Sequence, residues 1–180
     1  TAKDNTASSA GGALYILNGS AEVKNSIFWE NISPDGHEIK LGVGTSAAVS
    51  YCVVEDGFSG GTNIITADPF LGELDYNGGN TKTCLIGAED SARNAGTSAG
   101  APVSDQRGVA RPDGAGIDIG SIEYSTTVNS VMVTPSELEI EVGNSGYVLG
   151  KTLPAESYGE LTWSSSDTSV ATVSGGFVNG

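Results

Sequence analysis

"AEVKNSIFWEN" at residues 21–31 and "AAVSYCVVEDG" at 47–57 superpose, with Val23 on Val49, Ser26 on Cys52, Ile27 on Val53 and Asn31 on Gly57, an offset of 26 residues. Between them, "GGALYILNG" from Gly11 and "DGHEIKLGVG" from Asp35 recur at nearly the same offset, and "TNIITADPFLG" from Thr62 reads as a third, degraded copy. Repeats of roughly 20 to 50 residues signal a stacked architecture. Each copy holds short β-rich runs divided by Asn, Gly and Asp, so the unit is a coil of strands rather than a helical hairpin. Pairing then runs between successive coils, about 4.8 Å apart.

Composition sets the bounds. The chain has 180 residues, 26 of them Gly, with 22 acidic against 8 basic side chains and a formal charge of −14. No basic surface is left for a phosphate backbone, which argues against nucleic acid as a partner. Abundant Gly, Ser, Thr and Asn resemble secreted all-β proteins, in which turns are many and helices few. No run approaches the roughly 18 apolar residues of a membrane span, so no membrane insertion is expected. The start shows neither an initiator Met nor a basic-plus-apolar leader, giving the expectation that the chain is a piece of something longer. Cys52 and Cys84 lie 32 residues apart with no CxxC spacing, and His37 is the one histidine, which argues against a zinc site; two buried thiols are the simpler reading, a disulfide the other.

The pattern of "GGAL", "VKNSIFWEN" and "ADPFLG" resembles the right-handed parallel β-helix repeats of bacterial surface and secreted proteins. Residues 67–124, ending in "DQRGVARPDGAGIDIGSIEY" at 105–124, resemble the terminal segment such proteins carry before their anchoring regions, sometimes called a choice-of-anchor domain. A β-helix needs an ending, because its last coil exposes unpaired backbone groups and an apolar cross-section. Arg107 and Arg111 suit bidentate carboxylate pairing, with Asp105, Asp113, Asp118 and Glu123 as candidate partners. Pro112, Gly114 and Gly116 allow a tight turn beneath a final strand "IDIGSIEY". The expectation is a structural cap, a closing coil locked by ion pairs.

Other readings of the same residues are weaker. "DGAGIDIGS" from Asp113 partly matches a calcium-binding nonapeptide, but it starts with Asp and occurs once, whereas such sites stack; the cofactor expected is none. "GTSAG" at 96–100 fits a nucleophile elbow on Ser98, yet Ala101-Pro102 follows instead of a helix. Glu55-Asp56 and Glu89-Asp90 are adjacent carboxylates, which face opposite ways on a strand, so solvated turn acids are the simpler reading of both. No catalytic residue and no metal ligand is assigned. Trp29, in register with Glu55, is expected on an exposed face, where with Tyr15 it would make a small sugar-stacking platform.

After the linker at 125–128, residues 129–180 alternate apolar and polar with period two: Val131 and Val133, then Leu138, Ile140 and Val142, then Leu161 and Trp163. That argues antiparallel strands with one buried face. "VMVTP" from Val131, "LEIEVG" from Leu138 and "WSSSDTSVATV" from Trp163 resemble the group 2 bacterial immunoglobulin-like domain, which implies a β-sandwich with Trp163 in its core and, since that family continues past "GGFVNG", an incomplete one. The fold expected is therefore all-β: the end of a right-handed parallel β-helix with its closing segment at 1–124, then an immunoglobulin-like β-sandwich. The two resemblances together imply an extracellular or cell-surface bacterial protein, not an enzyme, acting as rod and spacer, as an adhesin or glycan-binding protein, with a glycan or host-surface ligand and chain–chain contacts at open ends. The alternatives are the non-catalytic end of a polysaccharide lyase or glycosidase, and a structural filament subunit.

Overall fold

A computed structural model describes residues 1–157 and 159–180. The chain divides into two compact units, Thr1–Tyr124 and Ser125–Gly180. All regular structure among the described residues is β, and no helix is long and apolar enough to cross a membrane.

In unit 1 the strands are β1 (Ala2–Lys3), β2 (Leu14–Ile16), β3 (Ser20–Lys24), β4 (Ile27–Trp29), β5 (Ile39–Leu41), β6 (Ser46–Val54) and β7 (Thr62–Ile65). Every strand pairing among them is parallel. β3 lies on the first half of β6 with Ser20 opposite Ser46 and Val23 opposite Val49, and β4 on its end with Ile27 opposite Val53. β1 precedes β4 in the same register, Ala2 opposite Phe28, and an isolated bridge continues it from Thr6 to Ile32. The 26-residue sequence offset is thus a spatial one. β2 and β5 form a separate two-stranded sheet, Leu14 opposite Ile39. β7 also pairs with β6, but with Cys52 opposite Ile64, so the chain returns after 12 residues rather than 26. The short turn "EDGFSGG" takes the place of the longer connection between the earlier copies.

Side-chain alternation on these strands builds two cores. Phe28, Cys52, Val54 and Ile64 point to one, which also holds Val49, Val23 and Leu14. Ile27, Trp29, Val53 and Ile65 point the other way, onto Ile86, Ala92, Ile119 and Ile122. Strand β4 is therefore buried on both faces, as apolar runs without alternation are in parallel sheets. Both cysteines are free and buried, and burial raises both thiols. Gly12 leaves no room for a side chain: a Cβ there would stand 2.2 Å from the His37 carbonyl oxygen.

Residues 66–124 contain no strand, and "IDIGSIEY" forms none either. The expected closing coil is instead an irregular layer over one face of the parallel sheet: it packs on Ile27, Trp29, Val53 and Ile65, from successive copies, and Gly120 donates to the Asn25 carbonyl. This corrects the sequence expectation of a lid beneath a last strand.

Unit 2 contains β8 (Ser130–Thr134), β9 (Ser145–Tyr147), β10 (Leu149–Leu153), β11 (Thr172–Ser174) and β12 (Phe177–Asn179). Antiparallel pairs form two small sheets, β10–β8 and β11–β12–β9. Leu138–Val142 and Leu161–Trp163 lie outside strands, contrary to the alternation argument. They rest instead on glycines: Leu138 and Ile140 cover Gly146, while Leu161 and Trp163 cover Gly150. Trp163 is only half-buried, and Val131, Met132, Val133 and Val142 are exposed, so the expected sandwich core is open. Two thin sheets of short strands do not enclose a second apolar layer.

Candidate functional site

A long segment without strands must find partners for its backbone groups elsewhere. Here side chains supply them. The Asp105 carboxylate accepts from the backbone N–H of Arg107 (2.7 Å), Val109 (3.0 Å) and Glu123 (2.9 Å). Asp118 accepts from Asn94 N (2.7 Å) and Tyr124 N (2.6 Å). Glu123 accepts from Asp118 N (2.9 Å) and Asp113 N (3.2 Å). Carbonyls are served by the arginines: Arg111 donates to Asp118 O and Gly120 O, and Arg107 to Glu123 O.

The charges then pair with one another. Arg107 Nε lies 3.1 Å from Asp105, and Arg111 Nη1 2.9 Å from Glu123, in each case with both side chains at most 3% exposed. Of the six residues expected to form the cap, five come together as side chains. Asp113 brings its backbone N–H, and its carboxylate forms no ion pair among the described residues; Asp118 is also unpaired with arginine, its oxygens being taken by backbone N–H groups. Burial pushes the Asp118 and Glu123 carboxyls up, against the opposing pull of those donors. Chemically this arrangement holds a fold. Every reactive oxygen is occupied, and the groups are out of reach of a substrate.

Trp29 corrects the platform expectation. It is 9% exposed and packs with Ile27 and Val53 under the covering layer, while Tyr15 is 45% exposed on β2, in a different sheet. Register with Glu55 misled because Glu55 lies past the end of β6, where its carboxylate accepts from Glu30 N at 2.8 Å. Trp29 and Tyr15 therefore do not share a face.

The structure gathers a set that the sequence left as separate turn acids. Asp4, Glu30, Glu55 and Asp56, with Asn31 and His37, line a shallow cleft of about 430 Å³. His37 Nδ1 stands 3.6 Å from Asp56, and Lys3 pairs with Glu30 at 2.8 Å. Glu38 lies beneath, its pKa raised by burial and further by the Glu55 charge, against two hydrogen bonds from Asn31. Only the 26-residue register, placing position 30 beside 55 and 56, signals this gathering in the sequence. Among the described residues no group of three or more His, Cys, Asp or Glu side chains is arranged to hold a metal ion. Ser98 sits in a turn closed by Ala101 N to Ser98 O, without a helix after it.

Comparison with known families places the second unit. Residues 127–180 match the family model of the bacterial Ig-like domain (group 2). Domains of that family are typical of bacterial surface proteins. No curated protein and no solved structure matches the chain. The protein is thus all-β, with a bacterial Ig-like domain following a unit of parallel stacked strands.

Proposed function

We propose that this chain is a non-catalytic part of an extracellular bacterial surface protein: unit 1 the end of a right-handed parallel β-helix with a choice-of-anchor-type covering segment, presenting a glycan-binding side, and unit 2 a spacer. The observation that carries the reading is that Asp105, Arg107, Arg111, Asp118 and Glu123 spend their charged groups on backbone N–H and C=O partners and on each other, in a layer packed on residues from successive copies of the repeat. A clamp of that kind suits a rod that must resist fraying. The family of residues 127–180 supports the surface location.

A glycan array combined with a turnover assay on polysaccharides tests it. Binding without product release is the expected result. A second reading, the end of a β-helix lyase or glycosidase, has the Glu30, Glu55, Asp56 and His37 cleft in its favour. It predicts product release that disappears in Glu55→Gln, and that outcome would overturn the non-catalytic reading.

A further inference from the structure

We propose that unit 2 pairs with a second copy of this chain through the free edge of β8, two antiparallel β8 strands meeting about a two-fold axis at Met132. β8 hydrogen-bonds to β10 on one side and has no strand on its other side among the described residues. All five of its residues are exposed, Val131, Met132 and Val133 at 51%, 43% and 40%, so both of its faces are open as well as one edge. An open edge is a template for another strand, and folds ordinarily blunt it with charge, proline or shortness. Other edges of this molecule are protected in that way: β3 turns out Glu22 and Lys24, β10 carries Lys151, and β11 is only three residues long. β8 has five residues, none of them charged and none proline.

Sequence selects the occupant. Ser130-Val131-Met132-Val133-Thr134 reads nearly the same in both directions, so an antiparallel copy sets Ser130 opposite Thr134 of the second copy, Val131 opposite its Val133, and Met132 opposite its Met132. Pairs of β-branched residues and of hydroxyl residues are favourable cross-strand neighbours. A two-fold contact uses one patch twice, so the chain needs no surface other than β8 to complete it. The product is a continuous four-stranded sheet, β10–β8 of one copy followed by β8–β10 of the other.

Charge permits this contact and sets its salt dependence. Two chains of formal charge −14 repel one another, yet residues 125–136 contain no charged side chain, and the first carboxylate after them, Glu137, falls in register with Thr127 of the second copy rather than with another acid. Salt therefore screens the general repulsion without weakening the neutral contact. A five-residue ribbon is smaller than the roughly 1,200 Å² of a stable interface, so the dimer is weak and reversible. Chains held side by side on one surface meet at high effective concentration, where a weak contact suffices. That use rests on the proposed surface location; the pairing itself does not.

Sedimentation of the full chain from micromolar concentration to about 1 mM tests the pairing. The average mass should rise towards that of a dimer with concentration, and rise further with added salt. Met132→Lys sets two like charges at the axis and weakens association about tenfold or more, although it lowers the net charge. Val142→Lys makes the same change of charge at an exposed residue outside β8 and does not weaken it. A mixture of Val131→Cys and Val133→Cys chains forms disulfide-linked dimers on mild oxidation faster than either variant alone. A monomer at every concentration, equal effects of Met132→Lys and Val142→Lys, or cross-linking without that preference overturns the pairing. A monomer that takes up a synthetic peptide of alternating apolar sequence assigns the edge to a foreign strand and overturns it too. None of these outcomes alters the glycan-array result, so the two readings fail separately.

Discussion

Asn31 is held by Glu38 as Asn5 is held by Asn31. Asn5 N and Nδ2 donate to Asn31 Oδ1 at 3.0 and 2.8 Å, and one coil on Asn31 N and Nδ2 donate to the two oxygens of Glu38 at 3.1 and 2.6 Å. The 26-residue register would place Gly57 next in this ladder, and glycine has no acceptor to offer. Glu38 reaches in from the following loop and takes the rung.

Glu38→Ala therefore strips the buried Asn31 backbone N–H of its acceptor, while the Asn31 amide keeps the Ala2 and Trp29 carbonyls. A loss of about 1–3 kcal/mol in unfolding free energy is expected from the one orphaned donor. Glu38→Gln keeps one acceptor and loses less. Urea denaturation of the three proteins checks the order; equal midpoints for Glu38→Ala and the parent would refute the ladder's role.

Arg111 and Glu123 form a pair that neither can leave alone. Both are almost fully buried, so removing one strands the other's charge, and Arg111→Ala is expected to cost about 3–5 kcal/mol. Lys24→Ala, at an exposed pair with Glu22, costs under about 1 kcal/mol. A double-mutant cycle through Glu123→Gln separates the pair's coupling from the backbone bonds Glu123 also accepts. Additive losses in that cycle would mean that the ion pair adds nothing beyond those bonds.

The parallel pairing was legible because a 26-residue copy carries its own register: Val23 with Val49 and Ile27 with Val53 stand in the sequence as they stand in the sheet. Arg107 and Arg111 with their carboxylates were legible as a group, since so many charges in twenty residues need partners. Their location was not. Nothing local says that Ile86, Ala92, Ile119 and Ile122 lie on β4 and β6, because irregular chain has no period that names a face. Trp29 was misplaced because its register partner, Glu55, lies past the end of β6 and names no face. The acidic cleft escaped because it forms past the ends of β4 and β6, where 30, 55 and 56 meet only once the strands are paired. In unit 2 the alternation of Leu138, Ile140 and Val142 was real, but short sheets did not turn it into a closed core.

Trp29 now serves as a test of the covering layer. Trp29→Ala leaves a cavity between β4 and residues 86–122, and a loss of about 3–5 kcal/mol is expected. Trp29→Phe fills most of the space and loses less. If Trp29→Ala melts with the parent by calorimetry, the layer does not pack on that face.

Asp90 makes stability depend on pH. Its carboxyl is pushed up to about 6, chiefly by burial, which outweighs the hydrogen bond from Ala92 N; the charge of Asp118 adds to the rise. One oxygen, Oδ2, is buried with no hydrogen-bond partner among the described residues. The folded pKa lies above the ordinary value of 3.8, so the folded form binds the proton more tightly and protonation favours folding. Stability from this group is present below about pH 4, falls as pH rises towards 6, and is then flat, a total of at most about 3 kcal/mol. Asp90→Asn removes that component. Denaturation series from pH 4 to 8 for both proteins check it, and parallel curves would show that Asp90 does not titrate in this window.

The two units differ in how much apolar surface they enclose, and that difference fixes the order of melting. Every large apolar residue that is fully buried among the described residues belongs to unit 1, from Ile16 to Ile122, whereas β8 of unit 2 exposes all five of its residues. At about 25 cal/mol per Å² of apolar surface, a unit without an enclosed core has little to set against the chain entropy it gives up on folding. Calorimetry should therefore resolve two transitions, the lower one from unit 2. Met132→Lys, on the open strand, should leave the upper transition where it is, and Trp29→Ala should lower it. A single cooperative transition that both substitutions move together would show that the units fold as one.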